Sequence, residues 1–139
     1  KQDQQYIAIK ELGIKIPVKS TDTTYDIAVD PNYVGISTKG FQSAVGNCKP
    51  ENTASSSFPA VIVVTKHTGT FDSNPDKKFD QLGAYDSFGK QFSGFYLSYG
   101  TPDGGYCNGA QSTAANTVNQ LFNNLKPELE SGVKNAQQL

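Results

Sequence analysis

Arginine is missing from this chain, and all 12 of its basic residues are lysine. Arginine supplies the planar fork that reads guanine edges and grips phosphate or carboxylate at two points. Its absence weighs against a nucleic-acid partner and against an active site built on a bidentate clamp. The lysines are scattered, and with 13 acidic residues they leave a formal charge of -1. No polybasic patch for an anionic membrane is visible. Uninterrupted apolar runs of the roughly 18 residues that a membrane helix needs are also absent. Methionine is missing, so Lys1 is expected to follow from processing, trimming or the cutting of a fragment, with a signal or an N-terminal membrane anchor expected before it. Tryptophan does not occur, histidine occurs once, at His67, and cysteine twice, at Cys48 and Cys107.

What is abundant is Ser, Thr, Asn, Gln, Gly and Tyr, with only 18% charged residues. That is the composition of an exported, surface-facing domain. Two cysteines in such a chain are expected to pair as Cys48–Cys107, the alternative being two reduced, buried thiols. The bridge would close a loop of about 60 residues, worth roughly 4 kcal/mol in the chain-entropy model. The length of 139 residues favours one domain over 1–139, and neither a repeat nor a composition shift divides it.

The densest apolar alternation of the N-terminal half runs from Tyr6 to Val18 and changes parity partway. Ile7 and Ile9 are followed by Leu12, Ile14, Ile16 and Val18 on even positions, so Gly13 is expected to carry a bulge or sharp turn between two short strand pieces. Pro17 suggests an edge or a strand end. Tyr25 to Val29 and Tyr33 to Thr38, joined by Asp30-Pro31-Asn32, form the clearest hairpin. Lys39 to Cys48 is read as a short helix. Ala60 to Val64 is β-branched on both faces, as a central strand would be. Asn74-Pro75 starts a short helix over Asp76 to Leu82 that Gly83 ends. His67 to Ser73 is read as a turn, and Phe92 to Tyr99 as the last strand. From Ala110 the apolar period becomes helical, with Val118, Leu121, Phe122, Leu125 and Leu129 on one stripe. A helix near 111–125 is expected, then a break or kink at Pro127 and a second helix reaching about 137. Strands first and helix last predict an α+β fold: an antiparallel sheet of about five strands with the C-terminal helix packed on one face.

Few residues point to chemistry. Cys107 and His67 are the one conceivable thiol–imidazole pair; a transpeptidase of the sortase kind would also need an arginine, and a disulfide would remove the nucleophile. Asp72-Ser73-Asn74-Pro75-Asp76 spells the first half of a calcium loop, with Asp80 near. Lys77 stands where that loop needs glycine and Gly83 where it needs glutamate, so an Asn-capped helix explains the same residues. Phe88, Phe92, Phe95, Tyr96, Tyr99 and Tyr106 could form a stacking platform, although strand aromatics are more often core. Alternation puts Phe95, Leu97 and Tyr99 inside and leaves Tyr96, flanked by Gly94 and Ser98, as the best candidate for an exposed aromatic. No paired carboxylates and no phosphate cradle stand out, and no cofactor is implied.

The opening Tyr6-Ile7-Ala8-Ile9-Lys10-Glu11-Leu12-Gly13-Ile14-Lys15-Ile16-Pro17 resembles that of a family of single-span surface proteins of ultrasmall episymbiotic bacteria. Gly94-Phe95-Tyr96-Leu97-Ser98-Tyr99-Gly100-Thr101-Pro102, running to Cys107, is similar to the family's aromatic strand and Pro-containing turn before its second cysteine. Cys48 falls at the first. The resemblance implies an N-terminal membrane helix and a domain held outside the cytoplasmic membrane, without a particular chemistry. Composition and resemblance together lead to the expectation of a non-enzymatic cell-surface domain that contacts a protein or an envelope polymer. It would touch the membrane only through its anchor and bind no nucleic acid. A pilin-like filament subunit and an extracytoplasmic hydrolase or transpeptidase are the alternatives.

Overall fold

The computed structural model describes residues 4–27, 30–48, 58–82, 86–102, 107 and 113–139. Within them, β1 (Gln5–Ile9) and β2 (Ile14–Val18) run antiparallel, with Ile7 opposite Ile16 and Ile9 opposite Ile14. The change of parity is thus a reverse turn, closed by the Leu12 N–H donating to the Ile9 carbonyl and the Gly13 N–H to that of Lys10. Gly13 takes φ of 70°, a left-handed value costly for any residue with a Cβ. Ile9, Leu12, Ile14, Ile16 and Val18 all reach the core.

β3 (Thr23–Ile27) and β4 (Tyr33–Thr38) form the expected hairpin. Asp30 builds its turn: Oδ1 accepts the Asn32 N–H at 2.8 Å and the carbonyl accepts that of Tyr33 at 2.9 Å. Val29 lies outside the described residues. α1 (Lys39–Cys48) follows at once because Thr38 is its N-cap, Oγ1 accepting the Phe41 N–H at 3.0 Å. β5 (Ile62–Thr68) continues the β-branched run and sits in the centre of a five-stranded antiparallel sheet. α2 (Pro75–Leu82) begins as the sequence indicates, with Asn74 Oδ1 accepting the Asp76 N–H at 3.0 Å. Gly83, its expected stop, lies outside the described residues.

β6 (Ser87–Gln91) and β7 (Phe95–Gly100) complete that sheet in the order β3-β4-β5-β7-β6. The reading of Phe92 to Tyr99 as one strand is corrected here: the chain reverses at Gly94, φ 86°, and the residues before it form a strand of their own. The turn assigned from His67 onward is corrected too, since β5 runs through Thr68 and pairs His67 with Tyr96.

α3 (Thr113–Lys134) is continuous over 22 residues with Pro127 inside it, against the expected break. Proline in a helix forfeits one backbone bond and costs about 3 kcal/mol. Here the buried stripe Val118, Leu125, Leu129, Val133 runs past the proline without a change of phase, and Pro127 itself faces solvent. Burying those side chains at roughly 1.5–3 kcal/mol each outweighs the lost bond. The helix ends at Lys134 rather than near 137, and β8 (Gln137–Gln138) pairs with β2 at Ile14 and Lys15. β2 is therefore the middle strand of a separate three-stranded sheet, β1-β2-β8. Pro17 stands beyond the reach of β8, where α3 takes over the uncovered side of β2.

The α+β class and the terminal helix on the sheet are as expected. α3 packs across β2, β5, β6 and β7 and against α1. One core joins the inner face of the large sheet (Val34, Ile36, Ile62, Val64, Leu97) to the N-terminal hairpin and both helices. On the other face, Phe58 and Ala60 lie over Gly35, and Phe71 and the Gln81 carbonyl of α2 meet Tyr96. Among the described residues no helix is long and apolar enough to cross a membrane.

Candidate functional site

Two places gather polar side chains, and they differ in whether anything can reach them. The first lies beneath α2 on the outer face of β5 and β7. Register sets Thr65 opposite Ser98 and His67 opposite Tyr96, so His67 and Ser98 become diagonal neighbours. His67 Nε2 lies 2.8 Å from Ser98 Oγ, and the imidazole stacks on the Tyr96 ring at 4.7 Å. Burial pushes the imidazole below its ordinary pKa, while the nearby Asp86 carboxylate partly restores it. Burial pushes Asp86 up, and the imidazole opposes that. Serine, histidine and aspartate in one cluster suggest nucleophilic chemistry. Ser98, however, is fully buried at 0% exposure in the middle of a strand. A carbonyl cannot approach its oxygen, so the cluster as it stands ties strands together.

Tyr96 itself is a correction. The expected exposed aromatic is 5% exposed. The strand alternation was right about its face; the covering layer could not be read from neighbours in sequence. Phe71 packs at 5.6 Å, Phe88 at 6.3 Å, and the Tyr96 hydroxyl donates to the Gln81 carbonyl of α2 at 3.3 Å. Phe92 turns to the other side and stacks on Phe95 at 4.8 Å. Tyr106 lies outside the described residues.

The calcium candidates do not converge. Asp72 Oδ1 accepts the Asn74 N–H at 2.9 Å, its Oδ2 stands 3.6 Å from Lys77 Nζ, and Asn74 Oδ1 caps α2. Asp76 and Asp80 lie on the exposed side of that helix. Among the described residues no group of three or more His, Cys, Asp or Glu side chains is placed to hold a metal. Cys107 is a disulfide cysteine, half-buried against the core. The side chain of Cys48, the sequence's other cysteine, lies outside those described.

The second place is open. A groove of about 750 Å³ runs between the N-terminal hairpin and the C-terminal half of α3. Tyr6, 39% exposed, stands at one wall with Lys15 Nζ 4.5 Å from its ring centre. Asn124, Pro127 and Glu128 of α3 form the other wall, with Gln4 and Gln137 at the ends. Much of the charge here is already engaged. Glu128 Oε2 accepts the N–H groups of Lys19 and Ser20 at 3.3 and 3.2 Å, and Oε1 accepts the Ser20 hydroxyl at 3.2 Å. Lys90 Nζ donates to the Ala136 carbonyl at 2.7 Å. The groove also presents the Tyr6 ring, the Lys19 side chain and amides that are partly engaged within the protein: Gln4 Nε2 donates to the Val18 carbonyl at 3.4 Å, Asn135 Nδ2 to the Ser131 carbonyl at 2.8 Å and Gln137 Nε2 to the Tyr6 hydroxyl at 3.4 Å. Sequence reading missed this groove because its walls come from opposite ends of the chain; the one hint was Tyr6, an aromatic on the polar side of an alternating strand. Comparison with family models, with curated proteins and with solved structures gave no match.

Proposed function

We propose that this chain is a non-enzymatic binding domain that works outside the cytoplasmic membrane, held at the cell surface by an N-terminal anchor. Its ligand is an uncharged polar polymer, an envelope or host-surface saccharide, seated in the groove between the hairpin and α3. The observation that carries the reading is the groove's chemistry: a half-exposed tyrosine ring beside amide side chains, with Glu128 and Lys90 already engaged by backbone groups and Lys19 the one further charged residue of the lining. Sugar rings stack an apolar face on an aromatic ring and spend their hydroxyls on planar amides, and neither contact needs a net charge. The extracytoplasmic address is supported by the polar, lightly charged composition, by the disulfide at Cys107, and by the resemblance of Tyr6 to Pro17 to anchored surface proteins. A Cys48–Cys107 bridge belongs to this reading.

Calorimetric titration with the trisaccharide of N-acetylglucosamine tests it. Saturable binding with a Kd near or below about 1 mM is expected, weakened at least about tenfold by Tyr6→Ala. Heat indistinguishable from dilution, or equal binding by the variant, would remove the saccharide reading.

A further inference from the structure

Pro127 breaks a local rule in the open. It stands inside α3 at the cost of a helix bond, and it is exposed on the groove wall rather than buried in the core. Broken local rules gather where function requires them. One turn earlier on the same wall stands Asn124, also exposed. Residues three apart on a helix are neighbours, with Cβ atoms about 5–6 Å apart, so an amide and an apolar ring lie side by side along the groove.

The four amides of the lining are not equivalent. Gln4 donates from Nε2 to the Gln5 and Val18 carbonyls, Asn135 from Nδ2 to the Ser131 carbonyl, and Gln137 from Nε2 to the Tyr6 hydroxyl. Each has turned its amino group to the protein and has its carbonyl to offer. Asn124 alone of the four makes no side-chain hydrogen bond among the described residues, so its Nδ2 donors are open to a ligand. Sugar hydroxyls donate as well as accept and can use the carbonyls. An acetyl carbonyl only accepts, and it needs the donor that Asn124 has kept. The acetyl methyl, on the same carbon, needs apolar surface, and the Pro127 ring supplies it.

We propose that the groove selects N-acetylated amino sugars, an assignment that rests on the saccharide reading and adds the class of sugar to it. Asn124 Nδ2 donates to the acetyl carbonyl, and the Pro127 ring packs on the acetyl methyl. Tyr6 stacks on any pyranose ring; Asn124 and Pro127 tell an acetamido group from a hydroxyl on the same ring carbon. The helix bond lost at Pro127 is thereby set against a binding surface that a smaller side chain would lack.

Calorimetric titration compares two trisaccharides of the same linkage: that of N-acetylglucosamine, with an acetamido group on each ring, and that of glucose, with a hydroxyl in its place. The acetylated one is expected to bind at least about tenfold more tightly, from one hydrogen bond and one buried methyl. Asn124→Asp replaces the donor by a carboxylate that only accepts. Pro127→Ala removes the ring from a helix that it should stabilise, so a loss of binding would not come from unfolding. In each variant the ratio of the two Kd values should shrink at least about threefold. A ratio that either variant leaves unchanged would place the acetyl group elsewhere and overturn the proposal. A ratio near one in the parent would overturn it as well; continued weakening by Tyr6→Ala would then leave the saccharide reading in place. Binding of neither trisaccharide would remove both.

Discussion

Replacing Gly132 by alanine tests how closely α3 is seated on β2. A Cβ built at 132 stands 2.8 Å from the Pro17 carbonyl oxygen and 3.8 Å from two side-chain atoms of Ile16. The oxygen belongs to strand backbone and cannot rotate aside, so the helix must lift or the strand must bend. Glycine to alanine in a helix interior otherwise gains about 1 kcal/mol. Overpacking a tight seam costs about 1–3 kcal/mol. The net expectation is a loss of about 0–2 kcal/mol. Gly46 in α1 is the matched control, because a Cβ there meets nothing within 4 Å. Gly46→Ala should gain about 0.5–1 kcal/mol. The two substitutions are chemically identical, yet should differ by about 1–3 kcal/mol, which for a chain of this length separates their Tm values by about 3–10 °C. Urea unfolding followed by far-ultraviolet circular dichroism measures both. If Gly132→Ala stabilises as much as Gly46→Ala, the close approach of α3 to Pro17 is wrong.

Pro127→Ala should stabilise the protein by about 2 kcal/mol: about 3 from the restored helix bond, less about 1 for a freer unfolded chain. A neutral or destabilising result in the same assay would mean that Pro127 does not interrupt the bonding of α3. His67 should make the fold acid-sensitive. Its folded pKa lies below its ordinary 6.5, so the unfolded state takes up a proton first as pH falls; stability is complete above 6.5 and lost on descending through it to the folded value. Asp86 is raised from 3.8 and works in the opposite direction, the folded state taking up the proton first. His67→Gln should therefore lose less stability between pH 7.5 and pH 5 than the parent, and an equal loss would contradict the assignment. A Cys48–Cys107 bridge predicts no free thiol in the unfolded, unreduced protein and a loss of roughly 4 kcal/mol on reduction; titration of two thiols would refute it.

Local readings succeeded where a few neighbouring residues fixed the backbone alone. The Asp30-Pro31-Asn32 turn, the Asn74 cap and the β-branched run at Ile62 are decided by dihedral preference and by side-chain oxygens within three residues of the groups they satisfy. Class followed from them, because alternation and helical period sort strands from helices before any long contact forms. Pro127 failed as a local reading: its cost is real, but burial of Leu125, Leu129 and Val133 on the far side of the helix exceeds it. Gly94 failed likewise, since aromatic residues on both sides hid a reversal that the φ of 86° makes plain.

The sequence by itself determined the alternating faces, the Asn74 cap, the turns and the α+β class, since each rests on interactions between near neighbours in the chain. Only the tertiary structure decided that Tyr96 is covered, that Ser98 meets His67 across 31 residues of chain, and that Tyr6 and Glu128 share a groove. Those outcomes depend on which strand lies beside which and on what packs above them. That choice is made by the burial of the whole core, and no window of the sequence contains it.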